Sequence, residues 1–352
     1  MTPRERMLTA TTGRRPDKLP LFAAAANSFI CNRYGLSISD YLENTQACAK
    51  ATVDFIEEYG LDSCIVASGY ILYGCGPELG VEWQFAEGEF PGFGQGPFKS
   101  KEDLDIFCIP KEPSGYFKNY IDIISQVSSV LGGTHHLNAN ILGPFAAACF
   151  LRGIENTLID SVTDKAFFNA YMNICAELSA YFGRCVLSTG VPFTTLNEIF
   201  LTPQMISPTA FHELISPLDR QVQKELEPHV VPNIMGTFMG QPEELKSQKA
   251  GRAMYDAFFG VNESIEDIKN AFKFALPGLP FPLAVSGRML DSWAAGDIID
   301  FLDQSVDFLI RQNGIYPSLT LISVQAGSPE KAEEISGKLE TIKDFRDRLR
   351  LS

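Results

Sequence analysis

The chain lacks several features that would have placed it at once. No stretch approaches the roughly 18 consecutive apolar residues a membrane-spanning helix needs. Its start, MTPRERMLTATTGRRPDKLP, has no apolar core of the kind a secretory signal carries, so a cytoplasmic location is expected. No basic stripe is present, which argues against nucleic acid as a partner. None of the eight cysteines forms a CxxC pair, and none follows Cys185. Free thiols are expected, not a disulfide framework. No Pro/Ser-rich linker interrupts the 352 residues, so a single domain is expected over 1–352.

What is present is a large, acidic, globular chain. Hydrophobic residues make up 45% and charged residues 20%, with a net charge of −14. Such a composition supports a sizeable core and excludes disorder. A strongly anionic ligand would need a local cluster of arginine or lysine to offset the field.

Apolar β-type runs alternate with longer helical patterns. The runs are Leu19–Ala25, Ser63–Ser68, His135–Leu142, Val191–Glu198, Val230–Gly236, Ala253–Phe259, Phe281–Gly287 and Tyr316–Ser323. Eight such runs separated by helices predict an α/β chain folded as a single (β/α)8 barrel. A helical extension is expected over about 1–18. Helices are predicted over Asp40–Tyr59 and Asp164–Leu187, and from starts at Ser207-Pro208, Ser264 and Ser328, each with residues that cap helix N-termini. The segment Phe85–Phe98 reads FAEGEFPGFGQGPF, which predicts neither strand nor helix but an ordered loop or a wall of the pocket.

Barrel sites are built at the C-terminal ends of the strands. Asn27, just past the first run, is a candidate ligand contact or a helix cap. Tyr70, after the second, fits an aromatic wall for a cationic methylammonium group or plain packing. His136, Asn138 and Asn140 alternate and share one strand face, with Asn140 nearest the mouth. Glu198 closes the fourth run and is a candidate general acid or base, or a partner for a loop cation. Tyr255 and Asp256 end the sixth run. Arg288 follows the seventh, as a bidentate carboxylate binder or an outward salt bridge.

Several motifs carry a family resemblance. Thr2-Pro3-Arg4-Glu5-Arg6 and Arg14-Arg15-Pro16-Asp17-Lys18-Leu19-Pro20 come first. Gly143-Pro144-Phe145 follows the third run. Ile206-Ser207-Pro208-Thr209-Ala210-Phe211 follows the fourth, and Ser286-Gly287 ends the seventh. In this order and spacing they resemble the uroporphyrinogen decarboxylase superfamily, closer to its corrinoid-dependent methyltransferase branch than to the decarboxylases. The decarboxylases carry an arginine-rich motif after the first strand. Here that place reads Ala24 to Tyr34, with Arg33 as its one arginine.

The resemblance implies methyl transfer between a small methylated compound and a corrinoid (cobalamin) carried by a partner protein. Thiol-using branches bind zinc through a histidine and a cysteine after the fifth strand and a cysteine after the last. Asn233 and Met235 stand in the first two places, and Ser323–Ser328 has no cysteine. An amide and a thioether suit zinc poorly, so zinc is not expected. Were a metal present, Glu198 and Glu213 would be its carboxylates, with His212 turned about 100° away from Glu213 on the same helix. The implied roles are catalytic for Glu198, Tyr255 and Asn233. They are substrate-binding for Asn27, Tyr70, Asn140, Met235, Asp256 and Arg288. A non-catalytic member that binds a corrinoid protein or a methylated ligand is the alternative, with a decarboxylase behind it. No membrane partner is expected, and a homodimer stands as an alternative to a monomer.

Overall fold

The computed structural model describes residues 1–68, 76–86, 89–201, 205–227, 230–232, 263–273 and 281–351. Among the described residues there are seven parallel strands: β1 (Leu21–Ala23), β2 (Ser63–Cys64), β5 (Asn138–Leu142), β6 (Phe193–Asn197), β7 (Val230–Pro232), β8 (Pro282–Val285) and β9 (Ser318–Leu321). β8 pairs with β9, β9 with β1 and β1 with β2. A bridge between Ile65 and Asn138 joins β2 to β5, and β6 and β7 complete the run. This is the strand order of the (β/α)8 barrel. The predicted strand Ala253–Phe259 lies outside the described residues.

Strand register fixes which side chains face inward. Phe22 pairs with Ser63 and Thr320, Ile65 with Asn138, and Asn140 with Thr195. The alternate set, including Ala23 and Cys64, packs against Thr52 and Phe55 of the Thr45–Glu58 helix. That set is apolar almost throughout: Leu21, Ala139, Ile141, Leu196, Leu283 and Leu319 are all buried. The outward face of the strands therefore supplies the apolar layer under the helices. The inward face carries amides and hydroxyls beside apolar residues such as Phe22 and Ile65. β2 is too short to pair with the upper part of β5. Tyr120 takes its place, its hydroxyl donating to the Asn140 carbonyl at 3.0 Å and accepting from the Asn140 N–H at 2.9 Å.

Helix starts follow the predicted caps. Asp164, Ser207, Ser264 and Ser328 each accept a backbone N–H from the first turn of a helix. The pattern over Asp40–Tyr59 is two helices, not one. Ile38–Glu43 is closed by a capping box on Ser37, and Thr45–Glu58 restarts on Asn44, whose side chain accepts the Ala47 N–H. The Phe85–Phe98 segment also departs from expectation. Gly92–Phe93 (β4) pairs antiparallel with Trp83–Gln84 (β3), making a short ribbon. Trp83 stacks on Tyr116 at 4.6 Å, and Phe93 meets Phe150 edge-on at 4.6 Å. These ring contacts, not strand propensity, hold so glycine-rich a ribbon in place.

At the opposite end of the barrel, Asp62 gathers the chain's two termini. Its carboxylate takes Arg6 from the Pro3–Thr11 helix and Arg346 from the Pro329–Arg348 helix. It also accepts the Leu21 N–H at 2.9 Å.

Candidate active site

The C-terminal ends of the strands form a mouth with two contrasting halves. Around β8, β9 and β1 lies a cleft of about 910 Å³, lined by Ser28, Ser286, Arg288, Ser323, Gln325 and Lys331 among others. Ser28 donates its hydroxyl to Gln325 and accepts the Ala326 N–H at 3.1 Å, tying the first loop to the last. Arg288 is exposed on this rim, but Glu263 engages its guanidinium and also accepts the Ser286 hydroxyl at 2.9 Å. Lys331 is likewise held, by Asp291 and Glu334, each at 3.0 Å. The cations of this cleft are thus already paired.

Two non-glycine residues adopt the left-handed region, Ala67 at φ 45° and Ser323 at φ 59°. Each lies just past a strand, β2 and β9, at the mouth. Such backbone costs roughly 1–3 kcal/mol and persists where surrounding structure enforces it, which is common at sites.

The other half is built on β5 and β6. Asn138 and Asn140 share one face of β5, as their alternation predicted, and the register turns that face inward. Asn138 Nδ2 donates to Thr195 Oγ1 at 2.6 Å. The Oδ1 atoms of Asn138 and Asn140 are buried and have no hydrogen-bond partner among the described residues. Thr195 and Asn197 extend the same polar face. The alternation in TTLN carries that signal, and Thr195 is the member the site expectations omitted. Phe150 meets Phe200 at 5.3 Å, so the ribbon's aromatic contacts continue round the rim past β6.

Glu198 follows β6 but belongs to the outward set. Its carboxylate is fully buried and accepts the N–H groups of Phe145 at 2.9 Å and Ala146 at 2.7 Å. These donors are the open N-terminus of the Pro144–Arg152 helix, a natural carboxylate site. The Gly-Pro-Phe motif now has a physical reason. A Cβ on Gly143 would stand 2.3 Å from the Glu198 carboxyl carbon, Pro144 starts the helix, and Phe145 offers its N–H.

Behind Glu198 lies Asp219, which no sequence signal singled out, buried and close enough for the Glu198 charge to act on it. Burial pushes Glu198 up to about 7, against the pull of its donors. Burial and the Glu198 charge drive Asp219 well above the usual carboxylate range. A general acid must reach its substrate; among the described residues the Glu198 carboxylate meets the N-terminus of the Pro144–Arg152 helix, where the sequence led us to expect a mouth-facing acid.

The remaining candidates are placed as follows. Asn27 opens the Asn27–Tyr34 helix, where its Oδ1 accepts from Tyr41 at 2.8 Å and Ser68 at 3.0 Å. Glu213 is exposed on a π turn, Phe211–Ile215, away from the enclosed environment of Glu198. Among the described residues no group of three His, Cys, Asp or Glu side chains is able to hold a metal ion. Tyr70, Asn233, Met235, Tyr255 and Asp256 lie outside the described residues.

Comparison with known proteins bears on both fold and family. A methyltransferase from Methanosarcina mazei superposes with a TM-score of 0.74 at 13% sequence identity, covering 97% of this chain and 99% of that one. At that identity the likeness establishes the fold, a (β/α)8 barrel. No curated protein matches the chain in sequence. The uroporphyrinogen decarboxylase (URO-D) family model matches residues 2–273, and the chain belongs to that family.

Proposed function

We propose that the protein is a methyltransferase that moves a methyl group between a small methylated compound and a corrinoid held by a partner protein. The observation that carries this reading is the neutral mouth. Inward-facing Asn138, Asn140 and Thr195 offer amides and a hydroxyl, and the described rim cations, Arg288 and Lys331, are already ion-paired. A polycarboxylate such as the porphyrinogen of the family's decarboxylases needs several fixed cations, so it fits this mouth badly. A small uncharged or cationic compound fits it well. The fold shared with the Methanosarcina mazei methyltransferase supports the same reading.

The donor set of the wide cleft also suits a corrinoid. Its neutral lining, Ser28, Ser286, Ser323 and Gln325, stands beside the ion-paired Glu263, Arg288, Asp291 and Lys331, a polar surface with no unpaired charge to oppose the amides that fringe a corrin ring. Bound there, a corrinoid supplies a strongly nucleophilic cobalt for the methyl carbon. The protein's own contribution is to orient the donor and to exclude water. The Asn138–Asn140 column holds the non-methyl end of the substrate. The aromatic ribbon, clamped through Trp83 and Phe93, covers the β2–β6 side of the mouth. Glu198, sealed by Phe145, Ala146 and Asp219, fixes the helix that begins beside β5. Where a leaving group needs a proton, Tyr255 is the proposed donor, and Asn233, Met235 and Asp256 complete the wall. Zinc has no part in this scheme.

An interior of amides and hydroxyls beside an open cleft counts against a non-catalytic binding protein, for which a leucine-filled mouth would serve. The test is methyl transfer by the full-length protein from a panel of methylated amines, ethers and thioethers to free cob(I)alamin, followed by its absorbance. Turnover on at least one donor is expected, and no turnover on any would overturn the proposal.

A further inference from the structure

Two side-chain oxygens inside the barrel have no hydrogen-bond partner among the described residues. Asn140 is 4% exposed, and its Oδ1 is buried without a partner among the described residues. The Oδ1 of Asn138 is in the same state, because the amide's other end is spent on Thr195. A buried polar atom left unpaired weakens a fold, and a leucine at such a position would not. The two residues lie two apart on β5, so their side chains rise along one face toward the mouth.

What these oxygens lack is a hydrogen-bond donor, and among the described residues the neighbouring strands bring no charged one. The inward residues Ser63 of β2, Ile65 just past it, and Thr195 and Asn197 of β6 are all neutral. Arg288 on the rim is engaged by Glu263. The whole chain carries −14, a field that draws cations and repels anions.

We infer that the Asn138–Asn140 column binds the nitrogen end of a protonated methylated amine, whose N–H groups donate to the two amide oxygens; this rests on the methyl-transfer reading above. The chemistry of the leaving group agrees. When the carbon–nitrogen bond breaks, its electron pair stays on nitrogen, and the methyl carbon takes its new bond from the electron pair of the corrinoid cobalt. An ammonium nitrogen therefore departs as a neutral amine with its own protons and needs no acid. The one acid beside β6 in the described residues, Glu198, is sealed into the helix layer, which such a substrate tolerates.

The test is calorimetric titration of the full-length protein, without corrinoid. The ligands are mono-, di- and trimethylammonium chloride, tetramethylammonium chloride, dimethyl sulfide and methyl phosphate. The ammonium ions with an N–H are expected to bind, and tetramethylammonium, which has none, to bind at least about tenfold more weakly. Asn140→Leu should lose at least about tenfold in affinity while melting no lower than the wild type. Asn140→Asp, which keeps the shape and adds a charge, should bind ammonium more tightly. Preference for dimethyl sulfide or methyl phosphate, binding of none of the six, or wild-type affinity in Asn140→Leu would each overturn the inference. Ammonium binding without transfer to cob(I)alamin would leave it standing and overturn methyl transfer instead. Transfer from a neutral donor alone would do the reverse.

Discussion

The base and the mouth of this barrel both bury polar groups, and they treat them in opposite ways. At the base, Asp62 is 1% exposed and meets two arginines and a backbone N–H. Every charge there has a partner, and the partners come from the first and last helices of the chain. At the mouth, Asn138 and Asn140 keep oxygens with no partner among the described residues, and behind β6 two carboxyl groups, Glu198 and Asp219, are buried beside each other. The base is arranged for stability. The mouth gives stability up, which is what a binding site requires.

Breaking the base should have the largest effect. Asp62→Ala leaves Arg6 and Arg346 buried without their shared anion, so unfolding free energy should fall by about 3–5 kcal/mol in urea titrations. Next comes Gly143→Ala at the mouth, which forces a Cβ to within 2.3 Å of the Glu198 carboxyl carbon. A loss of about 1–3 kcal/mol is expected from this overpacking. The double variant Gly143→Ala/Glu198→Ala should recover part of it, which a double-mutant cycle would read directly.

The third effect depends on pH. Burial raises Glu198 to about 7 and holds Asp219 well above its ordinary value, so the folded protein holds protons that the unfolded chain releases above the ordinary carboxylate range. Stability should therefore fall as pH rises from about 4.5 toward 7, by on the order of 1 kcal/mol per unit. Asp219→Asn keeps a donor toward Glu198 and should flatten that slope. A slope of the opposite sign would mean the pair is ionised. The smallest effect belongs to Asn140→Leu, expected to raise stability by about 1 kcal/mol in thermal melts, because it removes a buried amide oxygen with no partner among the described residues.

Much of this frame could be read from the residues. The apolar runs placed seven strands correctly, because alternation and turn residues carry the barrel's period. The polar face of β5 was legible for the same reason: Asn138 and Asn140 lie two apart. Their inward orientation came only from register, through Ile65 and Thr195. Glu198 was misjudged because its position after a strand suggested the mouth, whereas period-two counting from Leu196 turns it toward the helices. Asp219 was invisible, since a single aspartate on an amphipathic helix looks like any surface charge. The ribbon at Trp83 and Phe93 was missed because tertiary ring contacts outweigh the low strand propensity of glycine.

The most direct measurement of the central claim is the absorbance of cob(I)alamin incubated with the wild-type protein and trimethylammonium, beside Asn140→Leu. Conversion to methylcobalamin by the wild type, reduced at least about tenfold in the variant, is the predicted result. Conversion at equal rates in both, or in neither with any donor of the panel, would contradict a mouth whose Asn138 and Asn140 oxygens hold a methyl donor.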